Sequence, residues 1–417
     1  MSLAVCHRFF PEDEIRKDPR KFIEEATKFI KEKIEPKDKV LTLVSGGVDS
    51  SVNTALFDLA IGKRLYPVHI DTGFMRRIRG REEPEIVKER FSSLENFSLV
   101  SAREVFYEKV FGKEDAEEKR KGFQEAYALT TDNLVSSLDC NAMTHGTIFP
   151  DIKETPVIKT QHNVDVPFKK VKKVVEPLAS LYKNDVRKLA KALFEDYGYK
   201  FLKGVDKRQP FPGPGLAVRT VGKINIEKLE VEKNANDIVE QGIEKYTKEL
   251  YGTTMFIDPE TEEQIPFQYF AATFDNKFEK VPKEIYERIK LAWGKVRARV
   301  LCSKATGIVN EKRVYSFPLC VEEKIPNMEE LKCWGGKVTP YVTGYSRTLY
   351  KIAKGNEASP YVVSLRAVRS KDAIYAEIFE VPFDVLEKIG KKIVDECNVA
   401  TVYFDVSSKP PATIEYE

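Results

Sequence analysis

A short apolar run leads directly into a glycine pair near the start of this chain, and few folds accommodate that arrangement. Residues 40–44 contain four aliphatic side chains, Gly46 and Gly47 follow, and helical spacing of apolar residues resumes from about Asp49 to Leu59. A nearly continuous apolar run is expected for a strand that is buried on both faces of a parallel sheet. The segment therefore predicts one strand–turn–helix unit of an α/β fold.

The same alternation continues over the first half of the chain. Apolar patterns predict further strands at 65–70, 97–100 and 141–144, and helices at 12–35, 82–91, 117–138 and 185–194. Alternating strands and helices predict a doubly wound parallel sheet with helices on both faces. Ligands of such sheets lie beyond the carboxyl ends of the strands. We therefore expect three segments to meet at one edge of the sheet: 45–51, 71–76 and 145–154.

The pattern changes near Pro210, where three prolines and two glycines fall within residues 210–215. Beyond this point we predict a helix at about 226–248, strands at 362–368 and 402–405, and a helix at about 383–397. This order is typical of an α+β domain. The sequence thus predicts two domains, residues 1–210 and residues 211–417, with an insertion at about 316–360 in the second.

Composition excludes several functional classes. Lys plus Arg is 68 and Asp plus Glu is 65, so the net charge of +3 gives no reason to expect nucleic acid as a partner. The six cysteines are scattered, without the paired spacing of a zinc site. No apolar run approaches the ~20 residues that a membrane span needs, so we expect no membrane association and a cytoplasmic location.

The segment from 45 to 51 has the chemistry of a phosphate-binding loop. Small residues allow backbone N–H groups to approach phosphate oxygens, and the following helix N-terminus favours an anion. An aspartate in such a loop requires a cation, and Mg²⁺ would satisfy it. The alternative is a tight turn capped by serine. The predicted ATP-binding residues are Ser45, Gly46, Gly47, Val48, Asp49, Ser50 and Ser51.

This loop lacks the Lys-Ser or Lys-Thr ending of the common P-loop. It resembles instead the pyrophosphate loop of the N-type ATP pyrophosphatases. That resemblance implies an adenine-nucleotide α-hydrolase-like fold, with ATP as co-substrate. It also implies that the loop holds the β- and γ-phosphates as a leaving group while AMP is transferred to an acceptor oxygen.

Four further segments resemble the GMP synthetases within that superfamily. They are DTGFMR at 71–76, HGTIFPD at 145–151, FPGPGLAVR at 211–219 and SKPPATIEYE at 408–417. The resemblance implies a ligase that adenylates xanthosine monophosphate (XMP) and lets ammonia displace AMP to give GMP. It also implies a homodimer formed through the C-terminal domain.

The resemblance assigns roles to individual residues. Asp49 and Lys159 are implied as catalytic, the latter on a lid. Asp49, Asp151 and Glu154 are predicted metal ligands because carboxylates suit Mg²⁺, and Asp151 and Glu154 could instead recognise a hydroxyl group. The alternative for Lys159 is an ordinary surface lysine, and the alternative for Asp151 and Glu154 is a solvated acidic loop. The residues implied in binding the acceptor nucleotide are Arg76, Arg208, Arg219, Arg313, Lys409, Thr413, Ile414 and Glu415.

Several positions depart from the family pattern on the acceptor side. Gln209 and Gln161 replace histidines, and only residues 155–157 lie where the family has a longer insert. One alternative is therefore a paralogue that adenylates a different acceptor, another is a non-catalytic ATP-binding regulator, and a third is a tRNA-modifying enzyme. Only about forty residues precede the loop, too few for a glutaminase domain. We therefore expect ammonia from a separate glutaminase subunit or from solution.

Overall fold

The structure is a computed structural model that describes residues 5–154, 171–258, 260, 262, 264–309, 312–322, 327–335, 339–371 and 374–417. The predicted lid residue Lys159 lies outside these ranges. The chain divides into two compact units, which are described separately below. The first unit comprises residues 1–75, 82–109 and 120–208, and the second comprises residues 76–81, 110–119 and 209–417.

The strands, numbered in chain order over the described residues, are β1 Val5–Arg8, β2 Val40–Leu43, β3 Leu65–Asp71, β4 Arg77–Ile78, β5 Arg81–Glu82, β6 Ser98–Ser101, β7 Ala142–Thr144, β8 Lys173–Glu176, β9 Met255–Ile257, β10 Gln264–Pro266, β11 Gln268–Asp275, β12 Phe278–Lys280, β13 Ala298–Leu301, β14 Ala305–Val309, β15 Lys312–Ser316, β16 Leu319–Val321, β17 Thr348–Lys354, β18 Tyr361–Arg369, β19 Glu377–Ile378 and β20 Thr401–Asp405.

The helices of the same residues are α1 Asp13–Lys17, α2 Pro19–Lys33, α3 Val48–Ile61, α4 Glu83–Phe91, α5 Arg103–Val110, α6 Ala116–Ser137, α7 Phe149–Glu154, α8 Lys183–Tyr197, α9 Ile226–Tyr251, α10 Lys283–Trp293, α11 Met328–Cys333, α12 Thr339–Thr343 and α13 Phe383–Cys397. Within the described part of the chain, none of these helices is long and apolar enough to cross a membrane.

A six-stranded parallel sheet forms the core of the first unit. Its strand order is β1-β8-β7-β2-β3-β6, and every neighbouring pair is parallel. The predicted α/β class and the four predicted strands of this unit are confirmed. The edge strand β1 and its neighbour β8 were not predicted from the sequence. The two central strands β7 and β2 are followed by the segments 145–154 and 45–51, so these segments leave the same edge of the sheet.

The helical segment predicted at 12–35 forms two helices rather than one. Asp18 ends α1 and begins α2, and its carboxylate accepts the backbone N–H groups of Arg20 and Lys21 at 3.0 and 3.2 Å. Pro19 occupies the first position of α2, where its missing N–H costs nothing. The apolar spacing is helical throughout, so it does not reveal the break: an N-cap interrupts the backbone without interrupting the apolar pattern.

An eight-stranded mixed sheet forms the core of the second unit. Its main strand order is β11-β18-β20-β17-β16-β13-β12, and β19 pairs with β18. The helices α9 and α13 pack on one face, where Val239, Ile243 and Ile389 belong to the apolar cluster of that face. A second apolar cluster contains Leu349, Val362 and Tyr416, the penultimate residue of the sequence. This unit therefore buries the C-terminal segment.

Residues 316–360, predicted as an insertion, contribute two strands to this sheet. Strand β17 lies between β20 and β16. Its successive residues Leu349 and Tyr350 point to opposite faces of the sheet and belong to the two different apolar clusters. A segment that supplies β16 and β17 belongs to the core of the unit. Its strands are not evident from the sequence, because β16 is only three residues long and shows no regular spacing.

Candidate active site

The loop at 45–51 connects β2 to α3 at the carboxyl end of the sheet. Gly46 has a φ of +79°, a left-handed conformation that favours glycine. A Cβ atom at Gly46 would lie 3.0 Å from Val87 Cγ2 and 3.1 Å from the Nη1 atom of Arg208. Conformation and space therefore both favour glycine at this position.

Serine hydroxyl groups hold the shape of this loop. The backbone N–H of Ser45 donates to Ser50 Oγ at 3.3 Å. The hydroxyls of Ser50 and Ser51 donate to the carbonyl oxygen of Gly47 at 3.2 and 2.7 Å. Because the first turn of α3 has no helical acceptors for its N–H groups, these amides are the donors that an anion would meet.

Asp49 lies in the first turn of α3 and contacts the ammonium group of Lys183, the first residue of α8. Its other carboxylate oxygen, Oδ1, is buried and has no hydrogen-bond partner among the described residues. An unpaired buried carboxylate oxygen is a site that a divalent cation fits. Lys183 was not predicted from the sequence, because no motif marks a lysine 134 positions away.

The other two predicted metal ligands are placed differently. Asp151 accepts the backbone N–H of Ile148 at 2.9 Å, at the start of the short helix α7. The side chain of Glu154 lies outside the described part of the structure. Within that part, no three His, Cys, Asp or Glu side chains converge as a metal site. The ligand set of Asp49, Asp151 and Glu154 therefore stays a prediction.

The segment that follows β7 packs directly against the loop at 45–51. A Cβ atom at Gly146 would lie 2.9 Å from the carbonyl carbon of Asp49 and 3.0 Å from the backbone nitrogen of Ser50. The neighbouring Thr147 donates its hydroxyl to Glu176 at 2.6 Å. The glycine of the HGT segment thus permits close backbone approach. Of the three segments predicted to meet, 45–51, 71–76 and 145–154, the first and the third are in contact here.

His69 supports the same loop from β3. Its Nδ1 atom lies 2.6 Å from the carbonyl oxygen of Val44, the residue before the loop. Burial lowers the pKa of His69, so the neutral ring donates its Nδ1 proton to that carbonyl. The ring Nε2 atom is buried without a hydrogen-bond partner among the described residues.

Arg208 lies with the loop at 45–51 in the first unit and not with the other predicted acceptor residues. Its guanidinium donates to the carbonyl oxygen of Gly46 at 2.6 Å and pairs with the buried carboxylate of Glu83. The resemblance implied this arginine as an acceptor residue and indicated nothing about its contacts in the fold. Its carbonyl and carboxylate partners were not predictable, since both are far away along the chain.

Arg219 and Glu415, two predicted acceptor-binding residues of the second unit, form a two-pronged ion pair. The Nε and Nη2 atoms of Arg219 each donate to a different oxygen of Glu415 at 2.9 Å. The guanidinium also lies over the ring of Phe270, with its central carbon 3.9 Å from the ring centroid. Arg219 is fixed on two sides, so it holds the C-terminal segment in one position.

A hydrogen-bonded chain joins Arg76 to this ion pair. Arg76 donates to Glu240 Oε1 at 2.7 Å, and the same oxygen accepts from the Asn236 side-chain amide at 2.9 Å. Arg219 in turn donates to the Asn236 side-chain oxygen at 3.4 Å. Asn236 and Glu240 were not predicted, although their i, i+4 spacing on the predicted helix 226–248 places both on one face.

Two arginines that no sequence motif marked hold the rest of the C-terminal segment. Arg347 and Arg366 are completely buried, and both contact Asp405 Oδ2, at 2.7 and 3.0 Å. Arg347 donates to the hydroxyl of Thr413 at 2.9 Å, and Arg366 donates to the Thr413 carbonyl at 2.8 Å. Burial alone would raise the pKa of Asp405, but the two guanidinium groups outweigh it and lower that pKa.

The remaining predicted acceptor residues are placed less tightly. Lys409 exchanges backbone hydrogen bonds with Ala376 at 2.8 and 3.1 Å, which fixes the main chain there. Ile414 packs, partly buried, against the apolar cluster that contains Tyr416. Arg313 forms a half-exposed ion pair with Glu117 at 3.1 Å. Most of the predicted C-terminal residues are therefore brought together, whereas Arg313 is occupied by Glu117.

Comparison with known proteins gives matches over one segment and over nearly the whole chain. A family model described as the GMP synthase C terminal domain matches residues 337–416. A subunit of the glutamine-hydrolyzing GMP synthase of Saccharolobus solfataricus is 36% identical over 410 residues, which cover 96% of this chain and 100% of that protein. The corresponding subunit of Methanocaldococcus jannaschii is 34% identical over 404 residues, which cover 96% and 99% of the two chains.

One of the solved structures that match this chain is the NH3-dependent NAD synthetase from Campylobacter jejuni. It has 18% sequence identity and a TM-score of 0.35, and the alignment covers 45% of this chain and 77% of that one. The fold class therefore rests on the strand order described above, and the family rests on sequence identity. Because identity of 34–36% extends over nearly the full length of both chains, this chain belongs to the family of these glutamine-hydrolyzing GMP synthase subunits.

Proposed function

We propose that this chain catalyses the ATP-dependent amination of XMP to GMP, as the synthetase subunit of a two-subunit GMP synthase. It is then a ligase that forms a C–N bond and releases AMP and pyrophosphate. One observation supports the choice of acceptor more than any other. The C-terminal residues that the resemblance implies are folded into the second unit, where Glu415 is held by Arg219 and Thr413 by Arg347.

In the first step ATP is the electrophile. The O2 atom of XMP attacks the α-phosphorus, a new P–O bond forms, and the bond to the β-phosphate oxygen breaks to release pyrophosphate. The amides at the start of α3 would hold the departing pyrophosphate. Mg²⁺, which screens phosphate charge when bound, would be held by Asp49, whose Oδ1 atom is unpaired among the described residues. Lys183 supplies a further positive charge beside that carboxylate.

In the second step ammonia attacks C2 of the adenylated base. A C–N bond forms, the C2–O bond breaks with AMP as the leaving group, and the nitrogen loses a proton to solvent. No nucleophilic side chain is required, so the protein contributes positioning and charge stabilisation. Lys159, a lid residue only by resemblance, is proposed to add positive charge in the first step. Arg76, Arg208, Arg219, Arg313, Lys409, Thr413, Ile414 and Glu415 remain the proposed acceptor-binding set.

The source of ammonia is proposed from the names of the relatives. Each of those proteins is named as one subunit of a glutamine-hydrolyzing GMP synthase, so a separate glutamine-hydrolysing subunit is the expected partner. A homodimer formed through the second unit remains part of the proposal, as do domain limits at residues 1–210 and 211–417. The paralogue alternative predicts turnover with a different acceptor and none with XMP.

A pyrophosphate-release assay with XMP, Mg-ATP and ammonium tests the proposal. We expect pyrophosphate, AMP and GMP in equal amounts, with no ADP. The Asp49→Ala variant should lose most of this activity, while Asp13→Ala, which removes an exposed carboxylate from the first turn of α1, should keep it. Formation of ADP and orthophosphate, or release of pyrophosphate only with another nucleotide, would refute the assignment.

A further inference from the structure

The side chain of the last residue, Glu417, is buried. Glu417 is 3% exposed, although acidic side chains are rarely buried to that degree unless they are paired. One of its side-chain oxygens, Oε1, accepts the backbone N–H of Gly222 at 3.0 Å. The other, Oε2, contacts the ammonium group of Lys119. The final side chain is therefore held from two sides within the second unit.

Lys119 is itself an unusual lysine. It is 1% exposed, and its Nζ atom also donates to the carbonyl oxygen of Thr220 at 2.9 Å. Its sequence context, a run of charged residues, does not indicate burial. Burial lowers the pKa of Lys119 and raises that of Glu417. A buried charge pair is tolerated only with good geometry, and removal of one partner leaves the other charge uncompensated.

The contacts made by residues 415 and 416 show what the Lys119–Glu417 pair holds in place. The backbone carbonyl of Tyr416 accepts the N–H of Thr306 at 2.7 Å, and the Tyr416 hydroxyl donates to Asp405 Oδ2 at 2.8 Å. Glu415 is fixed one residue earlier by Arg219. The C-terminal segment thus runs from the proposed acceptor residues directly into the Lys119 contact. Thr413, Glu415, Tyr416 and Glu417 are each hydrogen-bonded along it.

We infer that Lys119 is a positioning residue for the acceptor site, which acts by anchoring Glu417 and so fixing the main chain of residues 413–415. This inference rests on the proposed function, since it concerns the same site. Lys119 does not touch substrate in this scheme. Loss of its ammonium group releases the end of the chain, and Glu415 then loses its fixed approach to the nucleotide.

A neighbouring lysine supplies a matched control. Lys228 is also completely buried, but its carboxylate partner is Asp275 at 2.8 Å, which does not belong to the C-terminal segment. It also donates to the carbonyl oxygen of Val221. Lys119→Met and Lys228→Met remove equivalent buried charges of the same unit. Both are expected to lower the thermal midpoint, whereas only Lys119→Met detaches the chain end.

The test is steady-state kinetics of the full chain with XMP, Mg-ATP and ammonium. We expect Lys119→Met to raise KM for XMP about 10-fold or more while KM for ATP changes less than about twofold. Glu417→Gln, which keeps an acceptor for Gly222, should shift KM for XMP in the same direction. In the double variant, KM for XMP should be no higher than in the more severe single variant, because the two substitutions remove the same Lys119–Glu417 contact.

Three results would overturn the inference. They are an unchanged KM for XMP in Lys119→Met, an equal rise of KM in Lys228→Met, or fully additive effects in the double variant. If Lys119→Met does not fold, Glu417→Gln carries the test, because it removes a charge without removing volume. Absence of XMP turnover in the unmodified protein would instead refute the proposed function, so the two failures are distinguishable.

Discussion

Asp49 and Lys183 form an ion pair that joins the first turn of α3 to the first residue of α8, at the edge of the sheet where the phosphate loop lies. The aspartate is expected in the loop from its sequence, whereas the lysine comes from a distant helix. The pair places one positive charge beside the carboxylate and leaves the Oδ1 atom of Asp49 unpaired among the described residues. The negative charge of Asp49 is therefore partly neutralised by Lys183 before any cation binds.

Replacement of Lys183 by Met should impair ATP use. We expect kcat/KM for ATP to fall about 10- to 100-fold, because a charge-assisted contact beside the phosphates is lost. Lys188→Met is the control, since Lys188 lies on the same helix, is 60% exposed and pairs with Asp185 on that helix. Equal effects of the two substitutions would show that Lys183 has no special role.

Replacement of Gly146 by Ala should disturb the phosphate loop. The added Cβ atom would lie 2.9 Å from the carbonyl carbon of Asp49, so α3 must shift to relieve the contact. We expect KM for ATP to rise about 10-fold, because small displacements of positioning groups are costly. Gly252→Ala, at a helix end where φ is +69° and no atom lies near the added Cβ, should lower stability by about 1–2 kcal/mol without changing KM. An unchanged KM in Gly146→Ala would contradict the proposed contact.

Replacement of Arg219 by Lys should weaken binding of the acceptor XMP and leave binding of ATP unchanged. Lysine keeps the charge but cannot make two parallel hydrogen bonds to Glu415. We expect KM for XMP to rise about 10-fold. Arg369→Lys is a matched control, because Arg369 pairs with Glu377 through Nε and Nη2 at the surface of the same unit. Isothermal titration with XMP would check whether binding changes in the same way as KM.

Acidification should destabilise the first unit through His69. Burial lowers the native pKa of this ring below the unfolded value of about 6.5, although nearby Glu83 and Asp71 oppose that shift. The unfolded chain therefore takes up the proton first. The contribution of His69 to stability is complete above about pH 6.5 and is lost as the pH falls from there toward the native pKa.

The measurement is the urea midpoint at pH 7.5 and pH 5.5. His69→Asn retains an N–H donor for the Val44 carbonyl but does not titrate, so its midpoint should fall less on acidification than that of the unmodified protein. Burial also lowers the pKa of His145, and some acid sensitivity should therefore remain. An identical drop in both proteins would rule out His69 as a source of the effect.

Local patterns were sufficient to predict the first sheet in outline. The apolar run at 40–44, the glycines after it and the periodic helices each specify structure over a few residues, and the observed strands and helices confirm them. The predictions failed where local signals were weak. Strands β1 and β16 are only four and three residues long, and their place in a sheet depends on neighbours distant in sequence.

The strand–loop–helix unit around Asp49 and the family-like segments could be identified without coordinates, because small residues and fixed spacings act over short distances. Which charges meet depends instead on the folded chain. Lys183 beside Asp49, Arg347 and Arg366 on Asp405, and Lys119 on Glu417 are pairs separated by many residues. A charge that is removed from water requires a partner, and for these groups it is tertiary packing that brings the partner within reach.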